Sequence, residues 1–153
     1  MNEKSVLVLG VGNLLLGDEG VGVHIAKRLQ TMVLPPWVEV VDGGTGGFEL
    51  INFFYGRKRI IIIDAMKADA RPGSAFRFKA EEITPEWPSS FSAHQQGLPE
   101  LLRFCNQLIP PPEIIIYGIV PKELGSMTMQ LSSTVKRRMW RIIAMLLNDL
   151  KTF

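Results

Sequence analysis

Four isoleucines in succession, Ile60 to Ile63, constrain this chain more than any other stretch. A strand turns alternate side chains to opposite faces, so a run with no polar residue has no face to give to water. Such a strand must be covered on both sides, which places residues 59–63 at the centre of a sheet. Val6 to Leu9 and residues 113–119 have the same buried character. Residues 37–41 read as a further strand, and residues 75–79 as an extra one. Helical patterns separate them. Val21, Ile25 and Leu29 share one face of a helix over residues 19–32, which Leu34-Pro35-Pro36 stops. A short helix covers residues 48–55. Residues 94–108 form a helix despite Pro99 in or near its first turns. The last helix, residues 131–150, carries Val135, Met139, Ile142, Leu146 and Leu150 inward. Strands alternating with helices predict right-handed crossovers and a three-layer α/β domain, with a mostly parallel twisted sheet of about five strands.

The chain has 153 residues, which is most simply one domain covering residues 1–153. A net charge of +2 is too small to argue for nucleic acid or a membrane surface, and no basic segment is interleaved with aromatics. Lys136, Arg137, Arg138 and Arg141 read as a solvated helix face. Gly10, Gly12 and Asn13 interrupt the first apolar run too early for a signal peptide, and Ile60 to Ile63 is too short to span a bilayer. The lone Cys105 sits among Leu101, Leu102, Phe104 and Leu108, as a core thiol would. These features favour the cytoplasm, and a monomer is the expectation.

Three side chains with metal-binding chemistry fall near strand-to-loop or loop-to-helix junctions. They are Glu19, Asp64 and His94. In an open parallel sheet the carboxyl edge of the strands is where ligands bind. Two carboxylates and an imidazole brought together there suit a divalent transition metal. Each residue also has a plain structural reading. Asp18 suits a helix cap, which leaves Glu19 at the first helical position as a partner of the helix dipole. Asp64 follows a buried strand and can bond loop amides. Asp42 holds the equivalent position after the strand at 37–41, ahead of Gly43-Gly44-Thr45-Gly46-Gly47. Ser92 and Gln95 fit a capping box around His94, whose imidazole beside exposed amides would stay neutral and free to ligate. His24, within the first helix, packs or is solvated.

Other chemistries fit poorly. Gly10-Val11-Gly12 begins like a dinucleotide fingerprint, but Leu15 holds the third glycine position. Asp18 and Glu19 would repel a pyrophosphate, and the Walker lysine is missing. Ser89, Ser90 and Ser92 lie near His94 without a Gly-x-Ser-x-Gly elbow.

Four segments together resemble the nickel-iron hydrogenase maturation endopeptidases. They are Gly10-Val11-Gly12-Asn13 with Asp18-Glu19-Gly20-Val21-Gly22, then Asp42-Gly43-Gly44-Thr45, then Ile63-Asp64-Ala65, then His94-Gln95-Gln96-Gly97. Order and spacing fit over nearly the whole chain, and the chain looks most like the branch serving uptake-type hydrogenases. The resemblance implies removal of a C-terminal extension from the hydrogenase large-subunit precursor once nickel is in place. It assigns metal contact and catalysis to Glu19, Asp64 and His94, and substrate recognition to Asp42, Gly43, Gly44 and Thr45. Nickel would come with the precursor. A nickel-delivery protein with the same ligands and no peptidase activity is the alternative. It predicts tight metal binding without a partner and no tail removal.

Overall fold

The computed structural model describes residues 4–82 and 98–152. Its strands are β1 (Val6–Val11), β2 (Val38–Gly44), β3 (Arg59–Ala65), β4 (Ala75–Lys79) and β5 (Glu113–Ile119), and its helices are α1 (Val21–Gln30), α2 (Leu98–Cys105) and α3 (Ser133–Lys151). One five-stranded sheet has the order β2-β1-β3-β5-β4. The isoleucine strand is therefore central. β1, β2, β3 and β5 run parallel, and β4 pairs antiparallel with β5 at one edge.

The strand pleat sorts the core into two layers. Val6, Val8, Ile61, Ile63, Ile115 and Tyr117 face one way, against Val21, Ile25 and Leu29 of α1 and Val135, Ile142 and Leu146 of α3. Leu7, Leu9, Ile60, Ile62, Ile114 and Ile116 face the other way. They meet Leu50 and Phe54, together with Leu101, Leu102 and Cys105 of α2. Ile60 to Ile63 are all 0% exposed, as a strand covered on both sides requires.

Backbone contact sets the seat of α1. A Cβ on Gly10 would lie 2.1 Å from the Gly22 carbonyl oxygen, and one on Gly22 would lie 2.1 Å from that of Ile63. Only glycine lets the first turn of α1 press onto β1 and β3 this closely. Arg28 stacks over Trp140 at 4.6 Å, joining α1 to α3. At the far end of α3, Arg77 grips Asp149 with two hydrogen bonds of 2.8 and 2.9 Å, and the Tyr117 hydroxyl donates to the same carboxylate.

Several element boundaries differ from the sequence expectation. The helix expected from residue 19 begins at Val21, because Gly17–Gly20 form a separate 3-10 turn. β2 runs on to Gly44, so Asp42 and Gly43 belong to a strand rather than a loop. The segment after it is a 3-10 helix, Gly47–Phe53. β3 reaches Ala65, so Asp64 lies inside the strand. α2 is described only from Leu98, with Pro99 second; its expected start at His94 lies outside the described residues. The helix runs on from Pro99 to Cys105, so the proline does not end it.

Candidate functional site

The sheet changes direction of winding between β1 and β3. From β1 the chain passes outward to β2 on one side and returns to β3 on the other. Ligands of open α/β sheets bind in the crevice at the carboxyl end of such a switch point. Glu19 follows β1, and Asp64 is the penultimate residue of β3. Both therefore stand at that crevice.

Glu19 is only 8% exposed and sits in the 3-10 turn. Its Oε2 accepts a 2.8 Å hydrogen bond from the Gly125 amide in the loop after β5. Asp64 is 0% exposed, and its Oδ1 accepts from the Ala65 amide at 2.7 Å. Burial pushes the Asp64 carboxyl well above the usual carboxylate range. The Ala65 N–H opposes that shift, and the charge on Glu19 adds to it. The two carboxylates thus feel each other in a low-dielectric setting, where like charges are costly.

Asp18 corrects the sequence expectation. It does not cap α1, whose first turn contains no acidic residue. It is 3% exposed and reaches across to the loop before α3. Its Oδ2 accepts from the Lys122 amide at 2.9 Å and from the Ser132 hydroxyl at 2.7 Å. Its Oδ1 accepts from the Ser132 amide at 2.8 Å. The Gly17 amide donates to the Thr128 carbonyl at 2.7 Å in the same seam. One carboxylate therefore fastens the loop that positions Glu19.

Asp42, Gly43 and Gly44 end β2, and Thr45 follows them in a turn on the same sheet edge. Asp42 Oδ1 accepts from the Gly44 amide at 3.0 Å, and its other oxygen lies 3.9 Å from Lys27 Nζ, an exposed pair. Gly44 has φ of +49°, and its carbonyl takes the Gly12 amide at 2.9 Å, where the β1–β2 register shifts. That turn leaves Asp42 and Thr45 exposed beside the crevice.

His94, with Ser92 and Gln95, lies outside the described residues. Among the described residues no three His, Cys, Asp or Glu side chains form a group able to hold a metal. Glu19 and Asp64 are brought together, close enough for the charge of one to raise the proton affinity of the other. His24 packs against the loop after β5. Burial lowers its proton affinity, with Lys27 acting the same way, while a hydrogen bond at the Met129 backbone and the Asp18 charge oppose this. Cys105 is fully buried, its thiol pushed up to about 12 by burial, which makes it a core residue rather than a nucleophile.

Sequence reasoning missed the loop between β5 and α3. Lys122, Gly125 and Ser132 all serve the site, yet none stood out by type. The usable signal was positional, because the loop after a strand neighbouring the switch point belongs to the ligand edge.

Comparison with known proteins agrees with this geometry. Residues 23–149 match the hydrogenase maturation protease family model. The chain is 39% identical over 124 residues to the hydrogenase 2 maturation protease of Escherichia coli K12, covering 78% of this chain and 74% of that one. It is 32% identical over 156 residues to the hydrogenase expression/formation protein HupD of Thiocapsa roseopersicina, covering 99% and 70%. The solved structure of the hydrogenase maturating endopeptidase HybD from E. coli superposes with a TM-score of 0.85 at 34% identity, over 96% of this chain and 92% of that one. HybD from Thermococcus kodakarensis gives 0.76 at 33% identity, over 92% and 95%. The chain belongs to the hydrogenase maturation protease family.

Proposed function

We propose that this protein is the endopeptidase that removes the C-terminal extension of a nickel-iron hydrogenase large-subunit precursor after nickel insertion. Family membership makes it a hydrolase. The observation that carries the finer reading is the pair of buried carboxylates, Glu19 and Asp64, flanking the crevice between β1 and β3. Two like charges held in low dielectric favour a cation between them, and carboxylates with an imidazole suit a borderline divalent ion. His94 would supply that imidazole. The nickel belongs to the precursor, so the site would test for substrate-bound metal and need hold none at rest. The exposed Asp42-to-Thr45 segment on the same edge is assigned to substrate recognition.

Hydrolysis needs a base for the attacking water. A base works best when its proton affinity lies near the working pH, and burial moves Asp64 in that direction. Glu19, held by the Gly125 amide, is fixed for contact with the cation. In this reading nickel chiefly positions the substrate. Asp64 takes a proton from water, the resulting hydroxide adds to the scissile carbonyl, the C–N bond breaks, and the proton passes to the departing amine. The protein acts as a monomer, and the cytoplasm is the compartment assigned to the reaction. No helix among the described residues is long and apolar enough to cross a membrane.

Mass spectrometry of the large-subunit precursor after incubation, with and without nickel loaded, tests the proposal. Loss of a C-terminal fragment from the nickel-loaded form alone is the expected result. Cleavage of the nickel-free form would overturn the checking role. Failure to cleave a cognate nickel-loaded precursor would favour nickel delivery instead.

A further inference from the structure

The loops after β3 and β5, together with the first turns of α3, enclose a groove of about 600 Å³. Five cations line it: Arg71, Lys122, Arg137, Arg138 and Arg141. Among the described residues no carboxylate lines it, and none of the five makes an ion pair. A merely solvated helix face would spread such charges outward. Here two loops bring Arg71 and Lys122 to the arginine stripe of the helix.

The arrangement works against the fold's own stability. Arg137 and Arg141 are four residues apart, and Arg138 and Arg141 three apart, so like charges adjoin along one face. An anion in the groove would relieve that conflict.

We infer that this groove docks an acidic stretch of the protein partner, which in the functional reading above is the precursor. Thr134, Arg137, Arg138 and Arg141 follow one helix face for about 10 Å, the span of about three residues of extended chain. The lining includes no aromatic ring to stack a base and no glycine-rich cradle of amides for phosphate, so a polypeptide fits better than a nucleotide. The groove shares a loop with the candidate site. Lys122 lines it and gives its amide to Asp18, while Gly125 of the same loop gives its amide to Glu19. Partner chain anchored there is held beside the crevice, a recognition separate from contact at the metal.

The test uses fluorescein-labelled octaglutamate and fluorescence anisotropy on the whole protein. Arg137→Glu/Arg141→Glu reverses two exposed charges. Arg138 is left alone, because a Cβ on Gly73 would lie 2.7 Å from its Cγ and its stem is packed there. Arg137→Gln/Arg141→Gln, which only removes charge, is the second variant, and circular dichroism melts check that both fold. The wild type should bind the peptide and lose about tenfold in affinity between about 50 and about 300 mM salt. The reversal should weaken binding about tenfold or more, and the glutamine variant less. With nickel-loaded precursor, the reversal should raise KM about fivefold and leave kcat within about twofold. Absent octaglutamate binding, binding that the reversal leaves unchanged, an unmoved KM, or tighter binding of labelled ATP would each overturn the inference. A wild type that cleaves no precursor yet binds octaglutamate through these arginines would sink the peptidase reading and support the groove.

Discussion

Replacing Asp18 by alanine should both weaken the fold and loosen the site. The Asp18 carboxylate accepts three hydrogen bonds, from the Lys122 and Ser132 amides and the Ser132 hydroxyl, and is 3% exposed. The hydroxyl can rotate to another partner, but the two amides cannot. Each main-chain donor left unsatisfied costs about 1–3 kcal/mol. Lys122 is exposed and Ser132 half-buried, so water reaches both amides and the lower part of that range applies. The sum is about 2–3 kcal/mol, or a fall in Tm of about 4–12 °C for a domain of this size. Loss of one negative charge near Glu19 offsets a little of it. Urea denaturation followed by circular dichroism measures the stability. Amide exchange should show faster exchange at Lys122, Gly125 and Ser132, because the loop that holds Glu19 is released. Cleavage should fall with it. Asp18→Asn keeps one acceptor oxygen but turns an amide toward donors, so at least half the loss should persist. A variant within about 0.5 kcal/mol of wild type, with unchanged exchange in the loop, would refute the assignment of Asp18 as the clasp.

Three other outcomes are expected. Gly22→Ala puts a Cβ 2.1 Å from the Ile63 carbonyl oxygen and 2.6 Å from that of Val11, backbone atoms that cannot turn aside. It should cost about 3 kcal/mol or more, and a melting temperature unchanged within about 2 °C would contradict the close seat of α1. Asp64 holds its proton more tightly in the native state than its ordinary value of 3.8 allows, so its stabilising contribution is complete below that value and is lost as pH rises through the elevated native one. Metal-free Asp64→Asn should therefore gain stability relative to wild type progressively as pH rises above about 4, while losing activity; a difference that does not change with pH would argue against the buried charge. Cys105, with its thiol raised to about 12 and no exposed surface, should react with Ellman's reagent only after unfolding, so rapid native labelling would show that α2 does not cover it.

Much of the architecture was legible in the chain itself. Four consecutive isoleucines demand a strand buried on both faces, and a pattern confined to neighbouring residues survives into any fold that satisfies it. The same logic found the five strands, the inward face of α3 and the antiparallel character of no strand in particular; β4 was expected only as an extra strand, and its pairing with β5 came from the structure. Glu19 and Asp64 could be named early because strand ends in a parallel sheet share one edge. His94 was named with them, but its position lies outside the described residues. Asp18 was misread as a cap because its type and its place before a helix fit one. Its actual partners lie 104 and 114 residues away. The clasp on Glu19 spans 106 residues. The basic stretch of α3 was expected as a solvated face, and Lys136, Arg137 and Arg141 are exposed; that Arg71 and Lys122 join it through two distant loops was not legible in the sequence. Periodicity and turn chemistry act between residues a few positions apart, so composition and order are enough to specify them. Which carboxylate meets which amide, and which cations share a groove, depends on how close packing brings remote loops together at the sheet edge, and only the folded chain supplies that.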